Sequence, residues 1–232
     1  MVLSPKSHFR ESATNPAGQS LLGVGIYTVP EAARLTRVKP ARIRRWLSED
    51  QARTSLPVIE GSPALSFRDL IEVRFVDSFR SHGVGWKVIR LAAERAAELL
   101  QDPHPFSTKR FRTDGSRIFA EIMANTGEEL LLDLVQSQYG FTQILSPYLY
   151  EGLEFSDSDG AIRWFPLAGS RRVVIDPTIA FGQPVVHPEA VPTGILAKAV
   201  QVEGSVGRVA RWYMVDPQSV RDAVEYEERL AA

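Results

Sequence analysis

Cysteine is absent from the 232 residues, which excludes disulfides, thiolate metal sites and a cysteine nucleophile. Histidine is scarce: His8, His82, His104 and His187 stand too far apart to form a ligand spacing, so neither a metal nor a cofactor is expected. An excess of one charge is missing as well. With 27 Lys and Arg against 28 Asp and Glu, the net charge is -1, so any contact with nucleic acid must come from a local basic patch. No run approaches the roughly 20 apolar residues of a membrane span, and the first residues lack a secretory apolar core. A cytoplasmic protein is expected. Asp133, Asp157 and Asp159 offer carboxylates, but no nucleophile–base pairing, phosphate-binding glycine loop or metal spacing accompanies them, so no catalytic residues are assigned.

What is present suits a globular chain. A hydrophobic content of 44% with 24% charged residues supports one large or two to three small cores. The expected fold class is α+β, in four segments: a tail over 1–25, a helical unit over 26–103, a β-rich middle over 104–170 and a three-helix unit over 171–232. The tail mixes Ser, Pro, Asn, Gly and Gln without a period, as a linker would. It could also be an arm that folds on a partner through Lys6, Phe9 and Arg10.

Residues 27–47 read as a helix-turn-helix. Pro30 sits in the first turn of one helix with Thr28 as its cap, and Pro40 starts a second after a short connection. In that second helix Ile43, Trp46 and Leu47 share a face by their three- and four-residue spacing. Ala41, Arg44, Arg45 and Ser48 then point outward, with Arg42 on the flank. Residues 37–47 contain no acid, as a helix docking on phosphate requires. Arg44 and Arg45 are the candidates for base or phosphate contact, and Arg37, Lys39, Arg42 and Arg53 for phosphate alone. The alternative is a solvated charged face.

Pro57, Gly61 and Pro63 between short apolar runs suit a hairpin or wing, followed by a broadly apolar helix over 67–81. A further helix over 86–100 carries an apolar stripe wider than one core layer needs, which suggests dimerisation. In the middle, 110–113 and 116–119 flank Asp114-Gly115, a dipeptide at ease with positive φ, so a hairpin is expected there. A strand is expected over 129–135, although its leucines also suit a helix, and 141–150 is ambiguous. Two short strands flank the turn at 156–160. The three C-terminal helices are expected over 193–202, 205–214 and 217–230, the last capped by Asp216.

The pair of helices at the end repeats the helix-turn-helix shape with opposite charge. Val220, Ala223 and Val224 make its packing face, leaving Arg221, Asp222, Glu225, Glu228 and Arg229 outward. That set is not positive, so it should add little to DNA affinity. Contact with protein is the better use. Phe181, Trp212 and Tyr213 are either anchors of such an interface or core residues.

Two resemblances follow from these motifs. Thr28-Val29-Pro30-Glu31-Ala32-Ala33, Arg42-Ile43-Arg44-Arg45-Trp46-Leu47, Phe67-Arg68-Asp69-Leu70 and Gly83-Val84-Gly85-Trp86, in that order, resemble the winged helix-turn-helix of MerR-type regulators over residues 27–100. The run Val174-Ile175-Asp176-Pro177-Thr178 to Phe181-Gly182-Gln183-Pro184-Val185, with Glu203-Gly204-Ser205-Val206 and Arg211-Trp212-Tyr213, is similar to the family called domain of unknown function 433. Many of its members have Gly-Thr-Arg after that run, where this chain has His187-Pro188-Glu189. The family is associated with VapB-like antitoxins of PIN-like ribonuclease toxins. The resemblance therefore implies a type II antitoxin that binds its toxin and its own operator DNA, with Arg171, Arg172, Arg208 and Arg211 either candidates for the toxin contact or solvated surface charges; a homodimer is expected because palindromic operators need two copies. The alternative is a MerR-like regulator whose aromatic middle region, with Tyr139, Phe141, Tyr148, Tyr150, Trp164 and Phe165, binds a small effector.

Overall fold

Capping chemistry sets where the first helices begin. In α1 (Val29–Thr36) the Thr28 hydroxyl accepts from the Glu31 amide while the Glu31 carboxylate accepts from the Thr28 amide, which satisfies two otherwise orphaned donors. The same reciprocal box, Ser66 with Asp69, opens α3 (Phe67–Ser81). Between them lie α2 (Pro40–Ser48) and a two-stranded antiparallel wing, β1 (Val58–Ile59) with β2 (Ser62–Pro63). Tyr27 and Leu65 exchange backbone hydrogen bonds of 2.9 and 2.8 Å, tying the entry of α1 to the entry of α3. The computed structural model describes residues 23–48, 58–59, 62–126 and 149–231. Arg53, Asp133, Tyr139, Phe141, Tyr148, the strand expected at 129–135 and almost all of the tail lie outside the described residues.

The expected hairpin around Asp114-Gly115 is instead inside a helix. The segment Phe111–Thr126 is helical throughout (α5), begun by the Thr108 hydroxyl accepting from the Phe111 amide at 3.2 Å. Phe111, Ile118 and Phe119 recur at seven- and eight-residue spacing and are all buried. A glycine in a helix costs about 1 kcal/mol, whereas burying those three side chains returns about 1.5–3 kcal/mol each. Tertiary burial therefore overrides the turn propensity of the dipeptide. Phe111 meets Phe106 at 4.8 Å between ring centroids, and Phe119 meets Phe79 at 4.9 Å.

That same helix consumes the wide apolar stripe of α4 (Trp86–Leu100). Val88, Ile89, Ala92, Ala93 and Ala96 are buried, and α4 packs most extensively against α5. The excess that suggested a second copy of the chain is thus satisfied within one chain. The hairpin of β3 (Leu153–Phe155) and β4 (Ala161–Trp164) forms as expected, with Asp159 left-handed in its turn. Trp164 pairs with Ile175, leading to an antiparallel sheet of β5 (Val173–Val174), β6 (Val185–Val186) and β7 (Val191–Pro192) in that order.

Three helices close the chain: α6 (Thr193–Glu203), α7 (Val206–Tyr213) and α8 (Pro217–Ala231). The mixed helical and antiparallel architecture is the α+β class expected. One apolar cluster runs from Tyr27 through α1–α5 and the β3–β4 hairpin to Ile175. A second joins Val186 and Leu196 to Val209, Val215, Val220 and Ala223. No described helix is long and apolar enough to cross a membrane.

Helix α3 is less apolar than its sequence suggests, because its core face also holds Asp69 and Glu72. Glu72 accepts from the Phe106 amide at 3.1 Å, and His104 Nε2 lies 3.1 Å from Asp69. Burial alone would raise the Asp69 carboxyl, but His104 and Ser66 bring it below its ordinary 3.8. Burial alone would lower His104, but Asp69, aided by Glu72, brings it above 6.5. Stability from the His104 proton is complete below pH 6.5 and is lost as pH rises through the raised value; the Asp69 share is lost only as pH falls through the lowered one. The melting-temperature gap between the native chain and His104→Gln is therefore expected to shrink as pH rises from about 6 to about 9. A gap constant over that window would contradict this coupling.

Candidate functional surfaces

The second helix of the N-terminal unit divides as its spacing requires. Ile43, Trp46 and Leu47 are buried, while Ala41, Arg44, Arg45 and Ser48 are exposed. The five described candidates for DNA binding do not behave alike. Arg44 and Lys39 are exposed. Arg45 lies with its guanidinium carbon 5.0 Å from the Trp86 ring centroid, and Arg80 approaches the same indole at 5.3 Å, a geometry that holds cationic charge beside α2. Arg42 is half-buried and pairs with Asp77 of α3, so its charge is neutralised inside the chain. Arg37, left-handed at the end of α1, donates to the Arg229 carbonyl near the end of α8. Its donors therefore face the C-terminal unit as much as any phosphate.

The five candidate partner-binding residues also separate into two surfaces. All are exposed, which removes the core alternative for Phe181, Trp212 and Tyr213. Arg208, Arg211, Trp212 and Tyr213 lie on α7, whose buried side is Val209 and Ala210. Trp212 is 61% exposed and Met214, the left-handed residue that ends the helix, 86%. Arg208 is partly occupied, donating to the Glu203 carbonyl at 2.6 Å. Phe181 belongs elsewhere: with Ile26, Arg34 and Ile195 it lines a concavity between α1 and the start of α6, and no α7 residue contributes to it.

The acidic last helix is not wholly an outer surface. Arg34 of α1 pairs with Glu227 at 3.0 Å, and Glu227 accepts from Thr193 at 2.5 Å. Asp222, expected to point outward, is buried and accepts from Ser170 at 2.5 Å and from Gln218 at 2.7 Å. Its hydroxyl and amide donors explain why a carboxylate is tolerated there. Arg221, Glu225, Glu228 and Arg229 remain exposed. Part of the negative charge is thus spent holding the two helix-turn-helix units together.

Residues that the linear pattern did not reveal are Asp77, Arg80 and Trp86, which organise the basic face, and Arg74 and Tyr226, which are buried where α3 and α8 approach. Charges at 69, 72 and 74 within an apolar helix were the available signal, since buried ionisable groups need partners.

No family model matches the chain. It is 27% identical over 226 aligned positions to a Mycobacterium tuberculosis protein named "Putative antitoxin VapB45", covering 87% of this chain and 93% of that one. A crystal structure described as Rv2018 from the same organism superposes with a TM-score of 0.71 at 28% identity, covering 88% of this chain and 99% of that one. The overall fold is therefore shared with a solved structure.

Proposed function

We propose that this chain is the antitoxin of a type II toxin-antitoxin system. It captures a PIN-like ribonuclease toxin through α7 and represses its own operon as a homodimer through α2 and the wing. The observation that carries this is the exposed Trp212–Tyr213–Met214 corner of a helix whose other face is well packed, together with the likeness to a protein named as an antitoxin. Large apolar side chains left in solvent mark protein-binding sites, and tryptophan and arginine are the residues enriched where binding energy concentrates. Arg211 beside Trp212 fits a partner whose active cleft holds clustered carboxylates. No catalysis is needed for inhibition of this kind.

Trp212→Ala is expected to weaken toxin binding about 30- to 1,000-fold, the cost of about 2–4 kcal/mol for an aromatic anchor. The residue is largely exposed, so thermal stability should not change. Calorimetric titration with the product of the adjacent gene measures it, and coexpression scored by growth rescue provides the cellular check. Unchanged affinity would remove α7 from the interface.

A further inference from the structure

A cavity of about 330 Å³ lies where residues 23–24, the head of α3, the α4–α5 loop, β4 and the segment after β5 meet. Its walls are mostly apolar, with Val24, Phe67, Ala161, Ile162 and Pro177. The polar side chains among them are nearly all engaged. Ser66 donates to Asp69 at 2.7 Å and Thr178 to Asp176 at 2.5 Å, while Arg68 donates to Ser107, to Asp102 and to the His104 carbonyl at 2.8–3.0 Å. His104 differs. Its Nε2 lies 3.1 Å from the Asp69 carboxylate, whereas its Nδ1 has no hydrogen-bond partner among the described residues. The imidazole lines the cavity, and 15% of its side-chain surface stays accessible.

An ionised carboxylate only accepts hydrogen bonds, so beside Asp69 the Nε2 keeps its proton whether the ring is charged or neutral. Nδ1 alone changes role: it is an N–H donor in the imidazolium and an acceptor in the neutral ring. Burial opposes the charged form, but Asp69, aided by Glu72 and against Arg68, holds His104 above 6.5. Little net charge is left for a ligand to answer. The imidazolium stands against Asp69 and Arg68 against Asp102 at 2.9 Å, and Glu72 adds a further acid near His104, so an anion meets no spare cation here. We propose that this cavity binds an uncharged, ring-sized molecule carrying one carbonyl oxygen, which accepts from the His104 Nδ1–H while the ring lies against Phe67, Ile162 and Pro177. The volume lies at the lower end of the range of ligand pockets, and an apolar lining with few polar groups is their usual make-up. A carbonyl oxygen takes the charge-assisted bond of the acid form and faces a lone pair in the basic form, so occupancy is lost as pH rises through the His104 value.

Calorimetric titration of the full chain with 1-indanone, and with indane, which has the same rings without the oxygen, tests the site. At pH 6 saturable binding of indanone below about 1 mM is expected, at least about five-fold tighter than indane. Between pH 6 and about pH 9 indanone should weaken about ten-fold as Nδ1 loses its proton, whereas indane should change by less than about two-fold. His104→Gln keeps an amide donor for Asp69 but offers no second nitrogen, and should bring indanone down to indane and flatten its pH dependence. Ile162→Trp, at a position 40% exposed, should close the cavity to both ligands. The proposal is overturned by absence of indanone saturation up to about 5 mM, by an indanone affinity that is flat over this pH window, or by a pH dependence that indane shares. None of these outcomes bears on toxin capture or operator binding, because no residue of α7 or α2 lines the cavity.

Discussion

Replacing Gly182 with alanine is expected to cost the fold roughly 3–6 kcal/mol, a large part of the about 5–15 kcal/mol that holds a typical domain. Ala180, Phe181 and Gly182 have φ of 47°, 56° and 85° in succession, an arrangement that L side chains rarely adopt. At Gly182 an added Cβ would lie 2.1 Å from the Tyr27 hydroxyl oxygen. That hydroxyl cannot step aside cheaply: it is buried and donates to the Gly182 carbonyl at 2.9 Å. The left-handed conformation accounts for about 1–2 kcal/mol, and the overlap with its broken buried hydrogen bond for most of the rest. The melting temperature should fall by roughly 6–24 °C.

A double substitution separates the two causes. Tyr27→Phe removes the clashing oxygen, so Gly182→Ala should cost less in that background than in the native chain, and the two changes should be clearly non-additive. A loss below about 1 kcal/mol for Gly182→Ala alone would mean that the turn does not depend on Tyr27. The same turn carries Phe181, which is 63% exposed. The left-handed backbone there leaves an aromatic side chain in solvent, held from beneath by Tyr27, two residues before the first helix of the basic unit.

Removing both exposed arginines of α2, Arg44→Ala with Arg45→Ala, is expected to lower operator affinity by roughly 10²- to 10⁴-fold in a gel-shift assay at fixed salt, at about 1–3 kcal/mol per arginine contact. Arg44 should dominate, because Arg45 already has the Trp86 face as a resting place. Neither side chain contributes to the buried face of α2, so the fold should persist, and toxin capture through α7 should be intact. Operator affinity within about three-fold of native would remove α2 from the DNA surface. Loss of toxin capture alongside DNA binding would sink the division of labour between the two ends. Arg42 offers an internal contrast. Paired with Asp77, it should matter less for phosphate contact than its place in the basic run suggests, and Arg42→Ala should act mainly on stability.

Several elements were legible in the linear pattern because local chemistry alone fixes them. The cap at Thr28, the proline at the head of α2 and the three-and-four spacing of Ile43, Trp46 and Leu47 all report short-range geometry. The boundaries of α6, α7 and α8 followed from the same signals. The helix at Phe111–Thr126 was not legible, because Asp-Gly has a strong turn preference of its own and the opposing force, burial against Phe79 and Phe106, comes from distant residues. The stripe on α4 pointed to a second molecule for the same reason: its true cover was the helix misread as a hairpin.

Exposure at the candidate sites was likewise beyond sequence. A tryptophan at position 212 suits a core as well as an interface, and only the packing of α7 on Val209 and Ala210 turns it outward. The charge pattern alone established a basic, acid-free second helix at one end and an acidic one at the other, along with the exclusion of cysteine chemistry. Composition and periodicity can do this because they depend on neighbours a few residues apart. What only the tertiary structure decided is that the two ends meet, through Arg34 with Glu227 and Arg37 with the end of α8. Contacts across some 190 residues arise from how the layers pack, and no local period records them.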